Sequence, residues 1–369
     1  MTHVWVAVAV ASLAAVVALL LGERLRRRRD EAQAYLKGVR SVISGDPDAA
    51  IEALSDAARL GSPEAVETYL ALGALFRREG DLSRAVRLHR NMLMGPNLPA
   101  SRRPEVEREL AEDYRHSGML AEAAEIYERY ATSDPVAAAG LRDVRVEQGD
   151  LAQAAVIQRQ LGGPDGGDPI LAHLLAARAR EALPREVEVA RGLAREALEA
   201  HPRSADAWLA LAEAEAAGGA VFPALEAAAN GLRADPRAAF QAWPALQGIA
   251  DAEAAVRFVE ALLADRPDDA ALHMLHARSL DRVGRRPEAY QAVRQALERD
   301  QSGEVTFALR ELLRNARRAA GPDELAVRYD LLVAALLRRG RAPRCSRCGA
   351  AAPERSWRCR RCGAYDSFP

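Results

Sequence analysis

Three patterns of apolar and polar positions follow one another along this chain of 369 residues. The first is continuous. Val4 to Leu21 is a run of 18 residues without a charge, in which Ser12 is the one polar side chain. That is enough apolar chain for one helical crossing of a bilayer. The second pattern is periodic and fills the middle of the chain with helical spacing. The third is short and polar, punctuated by cysteines.

The periodic part runs from about Gly38 to Arg338. Glycines at Gly45, Gly80, Gly118, Gly149, Gly219 and Gly284 interrupt the helical spacing, with separations of 35, 38, 31, 70 and 65 residues. The last two are close to twice the others. Five residues after each glycine stands an alanine: Ala50, Ala85, Ala123, Ala154, Ala224 and Ala289. Seven before, the residue is small at Gly38, Gly73, Ala111, Ala212 and Ala277, with Arg142 as the exception. Prolines at Pro135, Pro202, Pro236 and Pro267 punctuate the ends of units. A period near 34 residues with small positions on either side of a turn is that of tetratricopeptide repeats. The spacing predicts pairs of antiparallel helices, about eight or nine of them. Glycine ends the first helix of a pair in a left-handed turn, and proline closes the second. The small residues let the two backbones approach closely. Single pairs cannot bury their apolar face, so neighbours are expected to stack into a superhelix. The Gly/Pro/Asp-rich stretch from Gly162 to Asp168 is read as a joint between two sub-arrays, and Pro244 as the mark of a degenerate unit.

Charge adds an orientation. No Lys or Arg precedes the apolar run, whereas Arg24, Arg26, Arg27, Arg28 and Arg29 follow it. A secretory signal peptide has the opposite polarity. The positive-inside rule therefore predicts an uncleaved single-pass anchor with the bulk of the chain in the cytoplasm. The net charge of −1 points to no partner by itself, and Lys37 is the single lysine among 51 basic residues. The domain reading is a transmembrane anchor over 1–22, a basic juxtamembrane segment over 23–37, the repeat array over 38–340 and a small terminal domain over 343–369.

That terminal domain holds all four cysteines, Cys345, Cys348, Cys359 and Cys362, in two C-x-x-C-G units ten residues apart. Two such turns facing each other make one tetrahedral four-thiolate site. All four positions are filled, so the site is structural, and binding Zn2+ contributes folding energy. Iron fits the same cage. Two disulfides are the competing reading, which a reducing cytoplasm disfavours. A thioredoxin-type site needs a βαβ pattern that is missing here. The glycine after each second cysteine suits a tight turn and leaves its N–H free to point at a sulfur. Nine arginines and one acid, Glu354, lie between Arg338 and Arg361. Part of that charge offsets the thiolates. The rest offers a second reading, contact with nucleic acid or anionic lipid, which the scarcity of aromatic side chains disfavours for nucleic acid. Trp357 is read as packing over the ribbon.

No catalytic constellation appears. H-E-x-x-H, P-loop and G-x-S-x-G are all missing. His273 and His276 lie one helical turn apart and read as packing or groove residues. Gly162, Gly163, Gly166 and Gly167 follow no strand, so they form no dinucleotide loop.

Particular stretches carry a resemblance. Leu70-Ala-Leu-Gly-Ala-Leu-Phe-Arg-Arg-Glu-Gly-Asp-Leu-Ser-Arg-Ala-Val-Arg-Leu-His89, Glu109-Leu-Ala-Glu-Asp-Tyr114 and Ala121-Glu-Ala-Ala124 resemble the lipopolysaccharide assembly protein B family. So does the ending, from Trp357 through Cys359-Arg-Arg-Cys-Gly-Ala-Tyr-Asp-Ser-Phe-Pro369. Between about Val136 and Arg338 only the repeat pattern matches. Ser346 and Arg360 stand where the family often has proline, which leaves ligation intact. The resemblance implies an all-α tetratricopeptide-repeat protein with an N-terminal transmembrane helix and a rubredoxin-like zinc ribbon packed on the repeats. It implies a non-enzymatic scaffold in the bacterial inner membrane that regulates lipopolysaccharide biosynthesis. Its implied partners are a membrane AAA+ metalloprotease, the lipid A deacetylase brought to that protease, and other lipopolysaccharide enzymes; self-association is left open. The metal ligands carry over as Cys345, Cys348, Cys359 and Cys362. A general assembly factor for another membrane complex would look the same in sequence.

Overall fold

The computed structural model describes residues 15–23, 25, 26, 29, 63–95, 98–164, 167–183, 185–299, 343–352 and 356–368. Residues 15–23 are helical, and Val16, Val17, Leu19, Leu20 and Leu21 are exposed. Among the described residues no helix is long and apolar enough to cross a membrane. Most of the expected anchor, the juxtamembrane segment, the first repeat around Gly38, Gly45 and Ala50, and the end of the array lie outside the described residues.

The remaining chain forms two compact units that divide between Gly149 and Asp150. The first contains α1 (Pro63–Glu79), α2 (Leu82–Met94), α3 (Arg103–His116), α4 (Leu120–Tyr130) and α5 (Pro135–Glu147). Each packs on the next, and α1 also meets α3. The expected turn recurs. Gly80 has φ +89° and Gly118 has φ +77°, conformations that cost an L side chain about 1–2 kcal/mol. After each glycine the next N–H reaches back to the carbonyl five residues before it, from Asp81 to Phe76 (2.8 Å) and from Met119 to Tyr114 (2.9 Å). These bonds satisfy carbonyls that the helix end leaves free. The small positions are the points of close approach. A Cβ on Gly73 would lie 2.3 Å from Nε2 of His89. Ala85, Ala111 and Ala123 are fully buried.

The second unit contains α6 (Leu151–Leu161), α7 (Pro169–Ala182), α8 (Val187–Ala200), α9 (Ala205–Ala217), α10 (Val221–Ala234), a 3-10 turn η1 (Pro236–Gln241), α11 (Trp243–Gly248), α12 (Ala252–Asp265), α13 (Ala270–Arg282) and α14 (Arg286–Arg299). Antiparallel pairs form from α7 and α8, α9 and α10, and α13 and α14. Ala212 and Ala277 on the first helices, and Ala224 and Ala289 on the second, are buried as the spacing requires. Helix α9 lies at the centre. It is apolar around most of its circumference, and it packs on α7, α8, α10 and α11. The degenerate unit at Pro244 is the short η1–α11 segment, in which a full first helix is replaced by two fragments.

Two expectations change. The joint was expected at Gly162–Asp168, but the units divide one helix earlier. At the end of that stretch Asp168 is tied to three elements: it caps α7 by accepting from the Leu171 N–H (2.9 Å), accepts from Gln158 Nε2 (2.9 Å) and donates its own N–H to the Ala200 carbonyl (2.8 Å). Turn-rich composition reports a break in helix, not a break in packing. The prolines also do more than end helices. Pro135 and Pro236 occupy the first turn of the element that follows, where the missing N–H costs nothing, behind the capping carboxylates of Asp134 and Asp235. Among the described residues the array comprises fourteen α-helices and η1; the expected first repeat and the end of the array lie outside the described residues.

Candidate metal centre

Residues 343–352 and 356–368 form two matching knuckles. In the first, the Gly349 N–H donates to the Cys345 carbonyl (2.8 Å) and the Cys345 N–H to the Ala350 carbonyl (2.9 Å). In the second, Gly363 donates to Cys359 (2.9 Å) and Cys359 to Ala364 (2.8 Å). Gly349 and Gly363 take φ +70° and +73°. Their role differs from the expectation. Each closes the turn onto the first cysteine's carbonyl, so its N–H is not free for a sulfur. The sulfurs are served by other amides: those of Arg347 and Cys348 reach Cys345, that of Ala350 reaches Cys348, and that of Ala364 reaches Cys362.

The four sulfurs lie within 4.8 Å of one another. Cys345 and Cys362 are 3.7 Å apart and Cys348 and Cys359 3.8 Å. A tetrahedral ion with bonds of about 2.3 Å to sulfur places its ligands about 3.8 Å apart. Disulfides need about 2.05 Å, and all four thiols are free. The donor set therefore fits Zn2+, and four thiolates leave no position for a substrate. Without the ion, the charge is shared unevenly. Burial pushes the Cys345 thiol up, but the Ser367 hydroxyl and the amides of Cys348 and Arg347 outweigh it and bring the pKa to about 6. Burial, with the neighbouring thiols, pushes Cys362 up to about 12. A divalent ion replaces the protons that this crowding retains.

The ribbon packs on helices far earlier in the chain. It returns to α7, almost two hundred residues back. His173, buried on α7, contacts Asp206 of α9 through Nδ1 (2.6 Å) and Asp366 of the ribbon through Nε2 (2.9 Å). Its ring stacks on Tyr365 with centroids 5.2 Å apart, and Trp357 tilts over it at 5.6 Å. Both ring nitrogens face carboxylates, so the cationic form satisfies both. Burial opposes that charge, but the hydrogen bonds to Asp206 and Asp366 outweigh it and raise the His173 pKa to about 9. Asp206 is braced in turn. Burial alone would raise its pKa, yet Arg180 and His173 hold it below the ordinary value. Arg180 Nη1 lies 2.6 Å from Asp206, and its Nε reaches Glu213 at 2.9 Å.

Trp357 was expected to pack over its own ribbon. Its indole instead lies against the apolar cluster that includes Leu209, Ala238, Ala239 and Leu246. The ribbon's own interior is small, formed by Cys345, Cys359 and Phe368 with Ala350 and Ala352. An indole gains more area against the helices than such an interior can offer. No sequence motif marks His173, Asp206 or Asp366 as site residues. Their signal was present: a lone histidine and a lone aspartate in Ala/Leu-rich helices, 33 residues apart, or one repeat period. His273 meets its expectation as a packing residue, buried with Nε2 on the Pro267 carbonyl (2.8 Å), and His276 is partly exposed 3.5 Å from Glu260.

Fold and site together define a class, a helical-repeat protein that carries a four-thiolate ribbon seated on its helices. Residues 344–369 match the family described as "Rubredoxin metal binding domain". The chain is similar to lipopolysaccharide assembly protein B of Escherichia coli (strain K12), 28% identical over 106 residues, which are 28% of this chain and 27% of that protein. It is also 28% identical over 100 residues to lipopolysaccharide assembly protein B of Haemophilus influenzae, covering 25% of each chain. The matched stretch thus spans about a quarter of the curated relatives. Among solved structures, the C-terminal part of a TPR repeat-containing protein from Cytophaga hutchinsonii is similar at a TM-score of 0.44 and 11% identity, over 65% of this chain and 99% of that one. The helix-pair architecture rests on the turns and small-residue contacts above, not on that likeness. The resemblance to the lipopolysaccharide assembly protein B family stands on the ribbon and the 106-residue match.

Proposed function

We propose that this chain is a non-enzymatic scaffold in lipopolysaccharide regulation, tethered to the bacterial inner membrane by Val4–Leu21, with its repeats and ribbon in the cytoplasm. The observation that carries the reading is the four-thiolate ribbon seated on a helical-repeat array, in a chain similar to proteins named for lipopolysaccharide assembly. A closed metal site has no position for a substrate, and paired helices present extended side-chain surfaces that suit protein partners. In the finer form of the proposal, the array brings the lipid A deacetylase to a membrane AAA+ metalloprotease. Tethering both to one surface raises their effective concentration without chemistry. Affinity purification of the full chain from native membranes tests this. Recovery of both partners is expected, and recovery of neither the protease nor any lipopolysaccharide enzyme overturns it. The tether has its own test: protease added outside spheroplasts should leave the repeats intact, and digestion of them would place the chain on the other side.

A further inference from the structure

We infer that metal retention and the seating of the ribbon on α7 and α9 form one coupled equilibrium, in which His173 is the positioning residue through which the helices act on the thiolates. The inference is independent of the proposed function. It rests on a continuous set of bonds. His173 is fixed from behind by Asp206, and Asp206 by Arg180. On its other side His173 holds Asp366 at 2.9 Å. Asp366 is set in a left-handed conformation (φ +47°), which a free loop would adopt at a cost, and its N–H donates to the Trp357 carbonyl (2.9 Å). The next residue, Ser367, touches both knuckles. Its carbonyl accepts from the Ser346 N–H (2.6 Å), its hydroxyl donates to the Ala364 carbonyl (3.2 Å), and that same hydroxyl lies against the Cys345 sulfur.

Among the described residues, Trp357, Tyr365 and Asp366 of the ribbon contact the helices, and they flank the second cysteine pair. Ser367 carries their position across to the first pair. When the ribbon is seated, the sulfurs stand at the spacing an ion requires. When it is released, Asp366 loses the contact that holds its left-handed turn, and Ser367 is no longer fixed against Cys345. Groups that orient ligands from behind typically change metal affinity by about 10–100-fold. Linkage makes the effect reciprocal, so loss of the ion must weaken seating by the same factor.

The test uses the full, zinc-loaded chain. Zinc release to an excess of chromogenic chelator is timed for the wild type, His173→Gln, Asp366→Asn and the double variant. Each single change is expected to speed release about 10–100-fold. The double variant should release no faster than the faster single, because either change removes the same contact. Asp366 lies on the ribbon with its side chain half exposed, so its variant keeps the test valid even if His173→Gln disturbs α7. The reverse arm compares amide exchange with and without zinc. Stripping the ion should speed exchange at the start of α7 and α9 and leave α14 unchanged. Release from Asp366→Asn at the wild-type rate, multiplicative effects in the double variant, or exchange in α7 and α9 that ignores the ion would each overturn the inference.

Discussion

The His173 site makes stability depend on pH with a sign that can be worked out in advance. The imidazole pKa is raised from an ordinary 6.5 to about 9 in the folded chain. A shift of that size corresponds to about 3 kcal/mol, at 1.36 kcal/mol per pKa unit. The figure is a ceiling, because the Asp366 side chain is 56% exposed and salt screens its share. The folded state binds the proton more tightly than the unfolded chain. The contribution is therefore complete below about pH 6.5 and is lost as pH rises through about 9. Asp206, whose pKa is lowered, contributes with the opposite sign, but its share fades only on strong acidification and is constant across this window. Other charges that face the site are Arg180 and Glu213 behind Asp206, Tyr365 against the ring, and Arg237, which feels Asp366. None of them is a second group of ordinary pKa near 7. The assay is urea unfolding of the zinc-loaded chain and of His173→Gln, from about pH 6 to about pH 9.5. The wild-type advantage should fall by about 2–3 kcal/mol across that range. An advantage that stays level, or grows with pH, would refute the cationic assignment.

Other changes separate packing from backbone strain. Gly73→Ala drives a methyl into His89, whose Nδ1 is held by Asp113 at 2.6 Å, so the ring cannot easily yield. Unfolding of the first unit should be easier by about 1–3 kcal/mol, and an unchanged midpoint would contradict the close approach. Gly118→Ala meets nothing within 4 Å, but its φ of +77° should still cost about 1 kcal/mol, read in the same titration. Cys345→Ser should abolish tight zinc binding and red-shift the emission of Trp357 while most of the helical circular dichroism persists; metal bound at full stoichiometry would contradict the four-thiolate site.

The sequence by itself determined the elements and the ligands. Gly80, Gly118, Gly219 and Gly284 could be placed at helix ends because only a left-handed turn calls for glycine at that recurring offset, and all four have positive φ. Ala212 and Ala224 could be assigned to a helix–helix contact because a fixed small–turn–small spacing reports local geometry. The cysteines were legible for the same reason: their ligation depends on two turns only a few residues long. What the tertiary structure decided was non-local. The resemblance implied a ribbon packed on the repeats, without saying on which helices; in the structure Asp366 meets His173, 193 positions away, and Trp357 lies on the cluster around Leu209 and Leu246. Periodicity says that a helix has a buried face, but not which distant segment covers it. A histidine and an aspartate one repeat period apart hint at one contact, but nothing in the spacing brings Asp366 to the other side of the His173 ring. Which helices hold the metal ribbon was settled by packing alone.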